Sequence, residues 1–153
     1  MTFPHFNRTL IALILGIALH FPVAHAEDDR NVYEATVYKS PTCSCCTAWI
    51  EHLENNGFDV TVLEPTKLDQ VKSAHAVPSE LRSCHTAAIG NYTIEGHVPA
   101  KDIRRLLTEQ PNARGLAVPG MPVGSPGMEQ GDRRDPYVVV LFGEGKREVY
   151  AQH

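Results

Sequence analysis

Three of the chain's four cysteines lie within the four consecutive positions Cys43-Ser44-Cys45-Cys46. A disulfide requires a particular separation of its two Cα atoms, so these neighbours cannot staple distant parts of the chain, and a Cys45–Cys46 bond would strain the backbone. The fourth cysteine, Cys84, is far away in sequence. Thiols crowded in this way indicate chemistry at one place rather than structural cross-linking.

The start of the chain has the pattern of a secretory signal peptide. A short segment with one cation, Arg8, precedes an apolar run over residues 10–19, and Ala24-His25-Ala26 offers small residues where a signal peptidase cuts. The apolar run is too short to span a bilayer, which takes about 20 residues. We therefore expect residues 1–26 to be removed and residues 27–153 to form one exported, periplasmic domain without membrane association. The alternative is an uncleaved membrane anchor, which the well-placed Ala-His-Ala site makes less favoured.

The overall composition excludes several classes of function. The formal net charge is −4 and no basic block occurs, which argues against nucleic acid as a partner. The sequence lacks a serine–histidine–acid order, a phosphate loop and paired carboxylates, so it supports neither a hydrolase nor a nucleotide-binding protein. An exported protein also enters an oxidising compartment, where unpaired cysteines are at risk.

Apolar periodicity predicts an α/β fold. Alternating residues indicate strands at residues 32–39 and 58–63, with a helix from about Ser44 to Asn56 between them. The apolar face of this helix is predicted to consist of Cys46, Trp49, Ile50 and Leu53. A second helix, short strands around Gly90-Asn91 and a third helix with Pro99 as its first helical residue follow. This order predicts a thioredoxin-like sandwich with the cysteine motif at the junction of the first strand and the first helix.

Two features after the third predicted helix fit that sandwich less well. Residues 112–136 are rich in glycine and proline, which predicts a long irregular loop that is either functional or disordered. Residues 137–142 and 147–150 then predict a C-terminal β-hairpin around Gly143-Glu144-Gly145.

The predicted position of the motif at a helix N-terminus favours reactive sulfur. Unpaired backbone N–H groups and the helix dipole stabilise thiolate there. The pair Cys43 and Cys46 has the C-x-x-C spacing of thiol–disulfide oxidoreductases, but a third thiol at Cys45 would invite unwanted exchange. Adjacent thiolates instead suit bridged Cu(I), whereas a structural zinc site usually has two separated ligand pairs. Copper binding, disulfide chemistry, another metal and inert thiols all remain open at this point.

Several separated motifs resemble one known family. The segment Ser40–Cys46, followed by a helix with Trp49, is similar to the C-x-C-C signature of the DUF411, or CopG-like, periplasmic copper-resistance family. Further stretches resemble the same family in the same order: residues 77–81, 83–86, 95–100 and 115–122. The resemblance extends over residues 33–150.

Membership in that family would imply a thioredoxin-like fold that holds a cysteine-bridged, redox-active copper cluster and acts when copper is in excess. Cys43, Cys45 and Cys46 carry over as copper ligands, and Cys84 carries over as a fourth. The resemblance implies several ions that cycle between Cu(I) and Cu(II). An alternative interpretation of Cys84 alone is a small buried apolar residue.

Soft and basic side chains near these motifs are further ligand candidates. Met121 and Met128 lie in the Gly/Pro-rich segment and could fold over the cysteines as thioether ligands, or could fill gaps over the core. His85 and His97 could bind Cu(II) or support its ligands, although a lone histidine is more often structural or exposed. The remaining candidates are expected elsewhere: Trp49 in the core, and His52, His75 and His153 on the surface.

The leading hypothesis is therefore a copper-binding protein of copper resistance, with copper ions and periplasmic export or electron-transfer proteins as partners. The competing hypothesis is a metal-free thiol–disulfide oxidoreductase that uses Cys43 and Cys46. The residues do not separate a copper oxidoreductase from a copper store or chaperone.

Overall fold

A computed structural model describes residues 32–153 of the chain. The predicted signal peptide at residues 1–26 lies outside this part. The described part is a mixed α/β fold, as expected from the sequence, with its helices and strands in this order: β1 Tyr33–Tyr38, α1 Ser44–Asn55, β2 Phe58–Leu63, α2 Leu68–Ala74, a 3₁₀ turn Ser79–Leu81, β3 Thr86–Ile89, β4 Tyr92–Glu95, α3 Ala100–Glu109, β5 Gly115–Ala117, β6 Val138–Gly143 and β7 Lys146–Gln152.

The strands form one seven-stranded sheet in the order β2-β1-β3-β4-β5-β6-β7. β1 pairs in parallel with β2 and antiparallel with β3, which turns back into β4. β4 pairs in parallel with β5, and β5, β6 and β7 are antiparallel neighbours. The sheet therefore joins a βαβ unit to two antiparallel segments, of which β6 and β7 are the predicted C-terminal hairpin.

The helix α1 forms because its apolar residues recur at helical spacing. Cys46, Trp49, Ile50 and Leu53 are its buried residues, as the sequence predicts, and they lie on one face. Trp49 is fully buried, and its indole Nε1 donates a hydrogen bond to the Val98 carbonyl at 2.9 Å. The packing of this face fixes the position of the first turn, where the cysteines lie.

Two expectations differ from the structure. The segment predicted as irregular at residues 112–136 contains the strand β5, whose three residues Gly115–Ala117 are all buried beside β4. The third helix begins at Ala100, and Pro99 is its extended N-cap residue rather than its first helical residue. Three residues are too few to show an alternating pattern in the sequence. The strand β5 forms because it pairs with β4.

Of the three histidines expected on the surface, His52 and His75 are partly buried, whereas His153 is exposed. The Ala100 N–H donates a hydrogen bond to His52 Nε2 at 3.1 Å, and His75 packs against Tyr38. His153 Nε2 lies 2.8 Å from the carboxylate of Asp102. Within residues 32–153, no helix is both long enough and apolar enough to cross a bilayer.

Candidate metal centre

The first part of the centre is the cysteine motif at the start of α1, here called the motif half and consisting of Cys43, Cys45 and Cys46. Cys43 is the N-cap residue of α1, and no side chain caps the helix. Cys43 and Cys46 form a disulfide with Cα atoms 5.4 Å apart, and Cys45 is a free, partly exposed thiol. The Cys45 Sγ lies 3.4 Å from the Cys43 Sγ. Three sulfurs thus meet at one helix end, as predicted.

The second part, here called the assembled half, consists of Cys84, His85 and His97. The antiparallel strands β3 and β4 bring its residues together, because Cys84 and His85 precede β3 and His97 follows β4. The Cys84 Sγ lies 3.2 Å from His85 Nδ1 and 3.1 Å from His97 Nε2. A sulfur and two imidazoles therefore converge at this end of the hairpin.

The two halves meet at the Cys84 sulfur. The Sγ atoms of all four cysteines lie within 4.8 Å of one another, and the ligand atoms of Cys84, His85 and His97 satisfy the same limit. Cys84 belongs to both groups, and the structure thus brings six of the eight predicted ligand residues together.

His97 is held with one ring nitrogen facing the sulfur. Its ring is buried, and its Nδ1 lies 2.8 Å from the Pro126 carbonyl oxygen. A carbonyl can only accept, so Nδ1 carries the proton and the unprotonated Nε2 of the neutral ring faces Cys84. Burial lowers the pKa of His97, more than the Pro126 hydrogen bond raises it. This orientation by a backbone carbonyl is typical of histidines that bind metals.

His85 is fully buried between the rings of Trp49, at 4.3 Å, and His97, at 5.1 Å, measured between centroids. Burial places the pKa of His85 well below its usual value, and a proton on His97, when present, and the charge of Lys72 each lower it further. The imidazole is therefore neutral. Within the described residues its Nε2 has no hydrogen-bond partner, which is uncommon for a buried nitrogen and leaves it free for an additional ligand.

The Cys84 thiol differs from the low-pKa sulfur expected at a helix N-terminus. Cys84 does not lie on a helix, and burial, followed by the charge of Cys45, raises the pKa of its thiol to about 12. The metal-free thiol therefore keeps its proton at neutral pH. A metal that binds this sulfur would displace the proton.

The Gly/Pro-rich loop lies against the motif half. A Cβ atom at Gly127 would lie 2.7 Å from both the Cys45 carbonyl oxygen and the Trp49 nitrogen, and φ at Gly127 is +81°. Only glycine fits this close approach without displacing the backbone. Met128 follows directly and is partly buried, whereas Met121 is 53% exposed. The loop backbone thus reaches the centre, and the two methionines remain ligand predictions.

Comparison with known proteins finds one sequence family and two similar solved structures. A sequence model of the family DUF411, described as proteins of unknown function, matches residues 81–128. A solved structure of copper resistance protein CopG, form 2, is 46% identical, with a TM-score of 0.77 over 80% of this chain and 98% of that one. Form 1 of the same protein is 47% identical, with a TM-score of 0.75 over 78% and 96%. No curated protein sequence matches.

The chain belongs to the DUF411, or CopG-like, family. The DUF411 match includes Cys84, His85, His97 and the loop through Met128 but not the motif half. The CopG-like structures cover about four fifths of the chain. The family assignment therefore rests on far more than the cysteine spacing alone.

Sequence reasoning missed the residues behind this CopG-like centre. Glu95, Lys72 and Thr86 form a buried polar cluster in contact with the segment that carries Cys84. Lys72 lies on α2, 23 positions before Glu95, so no local spacing links them. The available signals were the family-like stretches at residues 83–86 and 95–100, which contain Thr86 and Glu95, and the charge at the end of β4.

Proposed function

We propose that this protein binds copper in a cysteine-bridged, redox-active cluster and acts in periplasmic copper resistance. The observation that carries the proposal is the convergence of four sulfurs within 4.8 Å, formed by Cys43, Cys45, Cys46 and Cys84. The names of the related structures, copper resistance protein, support copper as the cargo. Periplasmic export or electron-transfer proteins would be the partners.

The donor set fits copper. Thiolates favour Cu(I), whereas neutral imidazoles also suit Cu(II), so the two halves together would accept both oxidation states. Cys84, at the junction, would contribute to both environments. Cys43 and Cys46 can act as thiolate ligands only after their disulfide is reduced. His85 and His97 already have unprotonated nitrogens available without any change in charge.

The proposal includes a thioredoxin-like core and export by the signal peptide at residues 1–26. The order β1-α1-β2-α2-β3-β4-α3, with the sheet order β2-β1-β3-β4, supports that core. The strands β5, β6 and β7 extend the sheet beyond it. Export is supported by the apolar run at residues 10–19 and the small residues of Ala24-His25-Ala26, which follow in the order typical of a signal peptide.

The test is an anaerobic Cu(I) titration of the reduced protein, with bound copper counted by elemental analysis. We expect more than one tightly bound ion per chain, and fewer in Cys45→Ser, because a bridging sulfur is lost. Ser44→Ala is the matched control, since it changes the same turn without removing a sulfur. Binding no stronger than background in the wild type would refute the copper proposal.

A second candidate is a thiol–disulfide oxidoreductase, and the Cys43–Cys46 disulfide is the observation that favours it. This activity would need only the two paired cysteines, so it would survive loss of Cys45 or Cys84. Copper binding would not survive unchanged. Reduction of a protein disulfide by wild type, Cys45→Ser and Cys84→Ser therefore separates the two functions.

A further inference from the structure

A buried ion pair lies directly behind the assembled half. Glu95 is fully buried at the end of β4, and Lys72 on α2 is 3% exposed. Their side chains meet with Lys72 Nζ 2.6 Å from Glu95 Oε1. A buried pair of this kind is a weak source of stability, because the loss of hydration offsets most of the attraction between the charges. The role of this ion pair is therefore better judged from the hydrogen bonds it makes than from its contribution to stability.

The Glu95 carboxylate joins separate segments of the chain. Its Oε1 accepts the backbone N–H of Ser83 at 2.6 Å, and its Oε2 accepts the Thr86 hydroxyl at 2.6 Å. Lys72 Nζ also donates to the Thr86 hydroxyl oxygen at 3.1 Å. Ser83 and Thr86 flank Cys84-His85, so one carboxylate holds both ends of the segment that carries these two residues.

The same carboxylate fixes this segment relative to His97. Glu95 and His97 are separated only by Gly96, whose N–H donates to the His85 carbonyl at 3.0 Å. A Cβ atom at Gly96 would lie 2.7 Å from the Cβ of Ser83. The segment around Gly96 therefore packs closely against the segment that carries Cys84. The 3.1 Å approach of the Cys84 Sγ to His97 Nε2 depends on this arrangement.

We infer that Glu95, neutralised by Lys72, is the positioning residue that holds the Cys84 sulfur against the imidazoles and toward the other three cysteines. Within residues 32–153, the Glu95 carboxylate accepts hydrogen bonds from Lys72, Ser83 and Thr86. It contacts no sulfur or imidazole nitrogen of the centre through these bonds, so it acts through Ser83 and Thr86. The inference rests on the proposed copper function for its consequence, but the positioning itself exists in the metal-free protein.

The first experiment measures the position of Cys84 without copper. In a Cys45→Ser background with the Cys43–Cys46 disulfide intact, Cys84 is the free thiol of the described chain. We expect Glu95→Gln to increase its alkylation rate, because the amide cannot accept all three hydrogen bonds. Thr86→Val is a milder second variant that decides the question if Glu95→Gln fails to fold. Asp102→Asn is the matched control, since it removes another buried carboxylate that pairs elsewhere.

The second experiment measures copper. We expect Glu95→Gln to weaken Cu(I) binding about tenfold, as loss of a supporting hydrogen bond commonly does, and to lower the sulfur coordination seen by X-ray absorption. Asp102→Asn should leave both measurements near the wild-type values. Equal behaviour of Glu95→Gln, Thr86→Val and Asp102→Asn would overturn the positioning role. If the wild type binds no copper, the proposed function fails, and the alkylation rates alone still decide the inference.

Discussion

The motif half and the assembled half of the centre are built in different ways. Cys43, Cys45 and Cys46 are neighbours in sequence, so one helix turn is enough to bring their sulfurs together. The assembled half requires a hairpin, a loop carbonyl and a buried carboxylate to place one sulfur and two imidazoles. The comparison shows that the ligand atoms of one centre can be positioned either by the local chain or by the whole fold. Substitutions away from the sulfurs should therefore affect the halves unequally.

Trp49 should give the largest effect, because it lies beneath both halves. It belongs to the helix of the motif half, stacks on His85 and donates to the Val98 carbonyl. We expect Trp49→Ala to lower the free energy of unfolding by about 3–5 kcal/mol, measured by urea denaturation of the metal-free protein. Trp49→Phe should lose less, since it keeps a ring. A loss below about 1 kcal/mol for Trp49→Ala would mean that the halves do not share this support.

Gly127 should give the next largest effect, because its contact joins the loop to the motif half. Gly127→Ala adds both a clash with the Cys45 carbonyl and left-handed backbone strain, so we expect a loss of about 1–3 kcal/mol and faster alkylation of Cys45. Gly120→Ala is the matched control, because its φ is +71° but nothing lies within 4 Å of the added Cβ. Equal losses in the two variants would show that strain alone matters and that the loop contact does not.

His52 should give the smallest effect, through a hydrogen bond from the helix after the assembled half. Burial lowers the pKa of His52 from 6.5, Glu129 opposes that change and Arg104 adds to it. As the pH falls through about 6.5, His52 is protonated more readily in the unfolded chain than in the folded one. Protonation therefore favours the unfolded chain, and the free energy of unfolding decreases as the pH falls below about 6.5.

Between about pH 7.5 and about pH 5.5, wild type should lose more free energy of unfolding than His52→Gln, whose amide oxygen can still accept the Ala100 N–H. At the higher pH the two should differ by less than about 1 kcal/mol. Denaturant titrations at both pH values measure this difference. Parallel curves would show that His52 does not link the helices in a pH-dependent way.

The sequence predicted most of what depends on local pattern. The strand Phe58–Leu63 and the buried face of α1 agree with the structure, because strand and helix periods are visible in short windows. The cysteine motif at the start of α1 agrees for the same reason. Its neighbours Cys84, His85 and His97 were suggested by residue type and family resemblance, and the hairpin β3–β4 supplied their proximity.

What the sequence did not predict depends on contacts between distant segments. The strand β5 needs β4 beside it, and the pairing of Lys72 with Glu95 joins α2 to the end of β4. The surface position expected for His52 was wrong in part, because α3 covers that face of α1. Apolar periodicity places a side chain on a face but does not identify its partner across the fold.

The shortness of the ring closed by the Cys43–Cys46 disulfide has a consequence for how the scaffold responds to oxidation. The two residues are only three positions apart, so the bond removes little conformational freedom from the unfolded chain, worth about 2 kcal/mol by the loop-closure relation. A bond that closed most of the chain would contribute more than twice as much. Because this contribution is small, reduction of the disulfide to the dithiol should leave the sheet behind the motif intact.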